Sequence, residues 1–152
     1  MRRRTRSREF ALQVLYEIDI SRGELIEAFE DFWLDRSDLA LSNDEKAAIE
    51  LDKKDVEVRQ YTELLVYGTV EKLVEIDAVI EKFAEHWNIK RMACVDRNIL
   101  RLATYELMHV SDIPVKVAIN EAVELAKRYG EADSSKFVNG ILDKIAKTEC
   151  KK

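Results

Sequence analysis

The run Val95-Asp96-Arg97-Asn98-Ile99-Leu100-Arg101-Leu102-Ala103-Thr104-Tyr105-Glu106-Leu107 decides the fold class. Ile99, Leu100, Leu102, Ala103 and Leu107, with Met108 just beyond, occupy nearly every face of a helix over 95–110. A helix that is apolar on almost all sides belongs in the centre of a helical packing, so other helices are expected around it. Ser111-Asp112-Ile113-Pro114 ends it, and Pro114 suits an early position of the next helix, where its missing N–H costs nothing. That helix carries Val115, Ala118, Ile119, Ala122, Ala126 and Tyr129 along one side and stops at Gly130, expected as a left-handed cap. Asp133 or Ser134 is expected to cap a last helix bearing Phe137, Val138, Ile141, Leu142 and Ile145.

Upstream, the apolar period runs from residue 56 to about 87 through Val58, Tyr61, Leu64, Leu65, Leu73, Ile76, Ile80 and Phe83. That is long for a globular helix, and a break is expected near Gly68 or around 75–77. At the N-terminus Phe10, Ala11, Val14, Leu15 and Ile18 mark one helix face, while Arg2, Arg6, Glu9, Gln13 and Tyr16 lie opposite. A shorter helix is expected over about 24–35. Residues 36–54 read as the most loop-like segment, with a short helical turn around 45–51.

Composition agrees with helices. The 152 residues include four Gly and one Pro, too few for the turns that a sheet-rich chain needs every 8–12 positions or so. With 47% hydrophobic residues there is ample apolar surface for a core. The expected fold is all-α: six to seven helices in two packed bundles within one domain over 1–152. The N-terminal subdomain is expected to cover about 1–88 and the C-terminal one about 89–148.

Charge is unevenly spread. The net is −5, but residues 1–8 (MRRRTRSR) hold five arginines and no acid, which leaves 20 basic and 30 acidic side chains elsewhere, a net of −10. Guanidinium groups pair with phosphates and stack on bases, so this patch beside Tyr16 suits a short single-stranded RNA; a solvated N-terminus, or a membrane or acidic-protein contact, is the alternative. The acidic body would confine such binding to a few nucleotides. Cys94 and Cys150 have no partner motif, no stretch approaches the roughly 18 apolar residues of a membrane span, and no export signal follows the arginines. A cytoplasmic protein with reduced thiols is expected. Phosphate loops, dinucleotide fingerprints, nucleophile elbows and Cys/His arrays of metal spacing do not occur, and His86 and His109 stand isolated. Glu121 and Glu124 alternate with Lys127 and Arg128 at intrahelical pairing distances, as on a solvated face. A non-catalytic role without cofactor or metal is expected.

Four segments resemble, in order, motifs of the NusB family of bacterial transcription antitermination factors. They are residues 7–16 (SREFALQVLY), 95–107 quoted above, 112–127 (DIPVKVAINEAVELAK) and 133–144 (DSSKFVNGILDK). The resemblance implies an all-α fold of two helical bundles and a role in antitermination during ribosomal RNA synthesis. It implies binding of the boxA element of nascent RNA together with NusE, a small-subunit ribosomal protein, and joining of RNA polymerase with the other Nus factors. It also implies that no reaction is catalysed.

Carried over by position, the family's arginine-rich segment maps onto Arg2, Arg3, Arg4, Arg6 and Arg8. Lys136 and Phe137 resemble a second part of the RNA surface, and Asp133 lies where charge would affect RNA affinity. Core packing is the alternative for Phe137. Tyr16 and Asp96 resemble positions of the NusE contact; helix N-terminal charge is the alternative for Asp96 and partial burial for Tyr16. Ser135 stands where many relatives have His, which removes a ring from that surface. A related helical domain begins certain ribosomal RNA cytosine methyltransferases, but such enzymes need a downstream cofactor-binding domain. A module that binds protein and no RNA is the more serious rival, given the acidic body. Exposed apolar helix edges would serve a homodimer or a different partner equally well, so the sequence leaves oligomeric state open.

Overall fold

The computed structural model describes residues 3–21, 27, 32, 45–85 and 87–150, with the backbone alone for 45–55. The helix expected over about 24–35, the stretch 36–44, Arg2 and His86 therefore lie outside the described residues, apart from Glu27 and Phe32. Among the described residues there are six α-helices and no strand: α1 (Arg3–Ser21), α2 (Glu45–Glu71), α3 (Leu73–Phe83), α4 (Cys94–His109), α5 (Val115–Tyr129) and α6 (Ser134–Glu149). A 3₁₀ turn at Ile89–Arg91 lies between α3 and α4. The chain forms two compact units, Met1–Leu64 and Leu65–Lys152. The expected boundary was near residue 88; the observed one falls inside α2.

In the first unit α1 buries Ala11, Leu12, Val14 and Leu15, while Phe10 is only half-buried and meets the buried Phe32 edge-to-face at 5.3 Å. Small hydroxyl residues join α1 to α2. Buried Ser7 donates through Oγ to the Val58 carbonyl at 2.9 Å, and Thr62 Oγ1 donates to the same carbonyl at 2.7 Å. A larger side chain at residue 7 would hold the two backbones apart.

The short helical turn expected at 45–51 is the first part of a 27-residue helix. The break in the long apolar stretch comes at Lys72, between the two expected places. Lys72 adopts φ −99°, ψ 16°, in the sparsely allowed region between helix and strand. Hydrogen bonds nevertheless cross it: its N–H reaches the Gly68 carbonyl at 3.0 Å, and its own carbonyl accepts from Ile76 N–H at 2.9 Å. The axis bends and the ladder continues.

The second unit is built on α4, as its all-round apolar pattern requires. It packs against α3, α5 and α6, and α6 packs in turn against α3 and α5. Ile99, Leu100, Leu102, Ala103 and Leu107 of α4 are buried, together with Ile76 and Ile80 of α3, Ala118, Ala122 and Ala126 of α5, and Val138, Leu142 and Ile145 of α6. Alanines on the inner face of α5 let neighbouring helices approach closely. Arg101 of α4 binds Asp77 of α3 with two parallel bonds, Nε to Oδ1 at 2.8 Å and Nη2 to Oδ2 at 2.9 Å.

Three local expectations are refined. Pro114 is the residue just before α5 rather than within it, and its carbonyl accepts from Ala118 N–H at 3.1 Å. Gly130 is extended, φ −94°, ψ −174°, and not left-handed. Its glycine serves close approach, since a Cβ there would stand 2.6 Å from Ser134 Cβ and Oγ. Asp133 occupies the cap position of α6 without a side-chain bond, and Ser134 Oγ instead accepts from Glu131 N–H at 2.9 Å, closing the preceding turn.

Candidate nucleic-acid interface

The arginines of the first unit divide into two groups. Arg3, Arg4 and Arg6 are exposed, whereas Arg8 retains 2% of its surface. Arg6 lies on the face of α1 that the helical period sets opposite the apolar one, and Arg8 does not. Residues four apart on a helix share a face, so Arg4 and Arg8 both reach Tyr61 of α2. Their guanidinium carbons lie 4.6 and 5.8 Å from its ring centroid, within cation–π range. Arg6 lies 5.2 Å over the Phe10 ring, and Arg3 pairs with the carboxylate of Glu57. Between α1 and α2, Arg3, Arg4 and Ser7 face Glu57, Gln60 and Tyr61 across a cleft of about 320 Å³. Tyr16, farther along α1, is 40% exposed.

This arrangement presents guanidinium groups beside an aromatic ring, the combination that binds phosphate and stacks on bases. Tyr61 was read in the sequence only as part of an apolar stripe, and Glu57 and Gln60 were not singled out. Their proximity to the arginines depends on the pairing of α1 with α2, across more than 50 residues of chain, and no local pattern signals it.

The second unit holds another cleft, of about 250 Å³. Trp87 and Phe137 form its aromatic wall, with ring centroids 5.9 Å apart at 73°, and buried Met92 also lines it. Asp96, Glu131 and Asp133 contribute carboxylates to the same cleft. Phe137 is therefore half-buried at a surface cleft, and Lys136 beside it is exposed. Three residues of the sequence reading, Asp96, Asp133 and Phe137, come together here. Trp87, 51% exposed, was recognised only as the end of an apolar stretch.

The loop carrying Trp87 and Met92 is held from α4 and α3. Arg97 Nη1 donates to the Ile89 carbonyl at 3.2 Å, with the Met92 carbonyl at 3.4 Å, and Glu81 Oε1 accepts from Ile89 N–H at 3.2 Å. Asn88 Oδ1 accepts from Lys90 N–H at 2.9 Å and opens the 3₁₀ turn. One oxygen of Asp96, Oδ1, is buried and accepts no hydrogen bond among the described residues. A buried carboxylate oxygen without a donor is uncommon and costly. Among the described residues no group of three or more His, Cys, Asp and Glu could hold a metal ion, and no helix is long and apolar enough to cross a membrane.

The chain can be placed against known proteins on these features. A family profile described as the NusB family matches residues 5–147. The transcription antitermination protein NusB of Thermodesulfovibrio yellowstonii is 37% identical over 155 residues, covering 97% of this chain and 93% of that protein. The solved structure of T. maritima NusB superposes with a TM-score of 0.78 at 37% identity, covering 99% of this chain and 94% of the other. A crystal structure of antitermination factors NusB and NusE in complex with dsRNA matches with a TM-score of 0.77 at 31% identity, over 97% of this chain and 98% of that one. The agreement in sequence and in fold spans nearly the whole length, and the chain belongs to the NusB family.

Proposed function

We propose that this protein is a transcription antitermination factor that binds boxA RNA of nascent ribosomal RNA transcripts together with NusE. In the cytoplasm it joins RNA polymerase and the other Nus factors, and it catalyses no reaction. The observation that carries this reading is the open end of α1, where Arg3, Arg4 and Arg6 are exposed beside Tyr61 on a chain of the NusB family. The solved relative that contains NusB, NusE and dsRNA supports the choice of partners. Arg2 adds to the same patch by its place in the sequence. Arg8 acts from its buried position beside the aromatic ring, holding it. Lys136 and Phe137 form a second RNA surface beside the Asp133 charge, and Tyr16 and Asp96 meet NusE.

Fluorescence anisotropy with labelled boxA RNA, with and without NusE, tests the proposal. Tighter binding with NusE, falling steeply as salt rises and collapsing on Arg→Ala changes in residues 2–8, is expected. Unchanged affinity on adding NusE overturns the cooperative part. The net −10 outside residues 1–8 favours a second reading, a module that binds protein alone. That reading predicts NusE binding with no RNA affinity, and sizing with and without NusE distinguishes a partner complex from a homodimer.

A further inference from the structure

We infer that the cleft between α1 and α2 is a subsite for one nucleotide of single-stranded RNA, with Tyr61 as the stacking platform and Glu57 as an internal competitor for the phosphate. The inference rests on the reading of the arginines as an RNA surface and goes beyond it, because neither Tyr61, Gln60 nor Glu57 belongs to the arginine segment. The cleft, about 320 Å³, is within the size range of small-ligand pockets. Its chemistry is mixed in the way a nucleotide requires: a ring on one side, guanidinium groups on the other, and the Gln60 amide for a base edge.

Two exchanges decide the occupancy. Arg4 covers the Tyr61 ring at 4.6 Å, an exposed cation–π contact of the weaker kind. A base stacked on the ring binds it more strongly than an exposed guanidinium does, so the base displaces Arg4, which then turns to a phosphate. Arg8, buried beside the same ring, stays and keeps the platform in place. Arg3 is paired with Glu57, both about half exposed at 51% and 55%, so the pair is weak and breaks at modest cost when a phosphate arrives. Glu57 competes with the phosphate for Arg3 and, once released, takes up a cation from solution. It therefore lowers RNA affinity and reduces the net counterion release that accompanies binding.

The test is anisotropy titration of the full-length protein with labelled single-stranded boxA RNA over a salt series. E57Q is expected to bind about two- to fivefold more tightly, as an exposed ion pair of this kind implies. Its dependence of log affinity on log salt should be steeper, by up to about 0.7, one single-strand phosphate contact. With Arg3→Ala as background, the E57Q gain should disappear; an equal gain there overturns the pairing with Arg3 and leaves a general charge effect. Tyr61→Leu is expected to lose at least about fivefold in affinity with the salt slope retained, and Tyr61→Phe to restore most of it. Thermal melting of each variant separates binding from folding. Unchanged affinity in both E57Q and Tyr61→Leu overturns the subsite. Arg6→Ala, outside the cleft, reports on the underlying reading: if it weakens binding while the cleft variants do nothing, only this inference fails, and if the wild type shows no salt-dependent RNA binding, both fail.

Discussion

The phenol ring of Tyr105 occupies the space where residue 68 would carry a side chain: a Cβ built on Gly68 would stand 2.1 Å from Tyr105 Cζ and 2.2 Å from its oxygen. Gly68 lies within α2 and Tyr105 within α4, so the missing side chain sets how closely these two helices approach. The sequence suggested Gly68 as a helix breaker. The helix instead runs through it, and the glycine serves packing.

Gly68→Ala should therefore destabilise the protein by about 1–2 kcal/mol, the cost of overpacking less the usual helix gain of alanine. In a Tyr105→Leu background the same change should stabilise by about 0.5–1 kcal/mol, because only the helix gain remains. Urea unfolding of the four proteins measures this, and a destabilisation that persists without the ring would sink the explanation.

Burial raises the Tyr105 phenol above its usual range, and the Glu71 carboxylate adds to the effect. The unfolded phenol ionises near pH ~10 while the folded one stays protonated, so its contribution is complete below that pH and is lost as pH rises toward the folded value. Stability compared between pH 8 and 11 should fall more steeply for wild type than for Tyr105→Phe. Parallel curves would refute it.

The Arg101–Asp77 pair is mostly buried, with side chains 11% and 22% exposed, and it is bidentate. Asp77→Ala leaves a guanidinium poorly solvated and should cost about 1.5–3 kcal/mol. Glu124 and Lys127 also pair, at 3.5 Å, but with 66% and 60% exposure, and Glu124→Ala should stay within about 0.5 kcal/mol of wild type. Denaturation midpoints of the two variants decide between burial and mere ion-pair count as the source of stability.

In the second cleft, Asp96 and Phe137 should separate by readout. Asp96→Asn is expected to weaken NusE binding far more than RNA binding, since it removes a negative charge from the proposed NusE contact. Phe137→Ala should reduce RNA affinity about fivefold or more with little change in salt slope, as loss of stacking does. Its half-buried ring calls for melting curves alongside, with Phe137→Leu as a packing control. Equal loss of NusE and RNA binding in both variants would contradict the assignment of two surfaces.

Much of the architecture was legible in the residues. The dense apolar run at 99–107 marked α4 as central, because a helix without a polar face has nowhere to go but inside. Pro114 and the small residues of α5 bounded and faced the next helix correctly. Helix continuity was less legible: polar 45–55 resembled a loop because a solvated helix and a loop share the same composition, and the bend at Lys72 carries neither Pro nor Gly.

The sequence by itself determined the helical class, the central helix, the arginine-rich end of α1 and the family motifs, since each is written in neighbouring residues or in a 3.6-residue period. Only the tertiary structure decided which arginines face solvent. Arg8 is buried over Tyr61 and Arg3 meets Glu57 because α1 lies along α2, and a contact between residues more than 50 positions apart has no trace in local pattern. The same holds for Trp87 and Phe137: each reads alone as one more apolar residue, and the packing of helices brings their rings to one cleft.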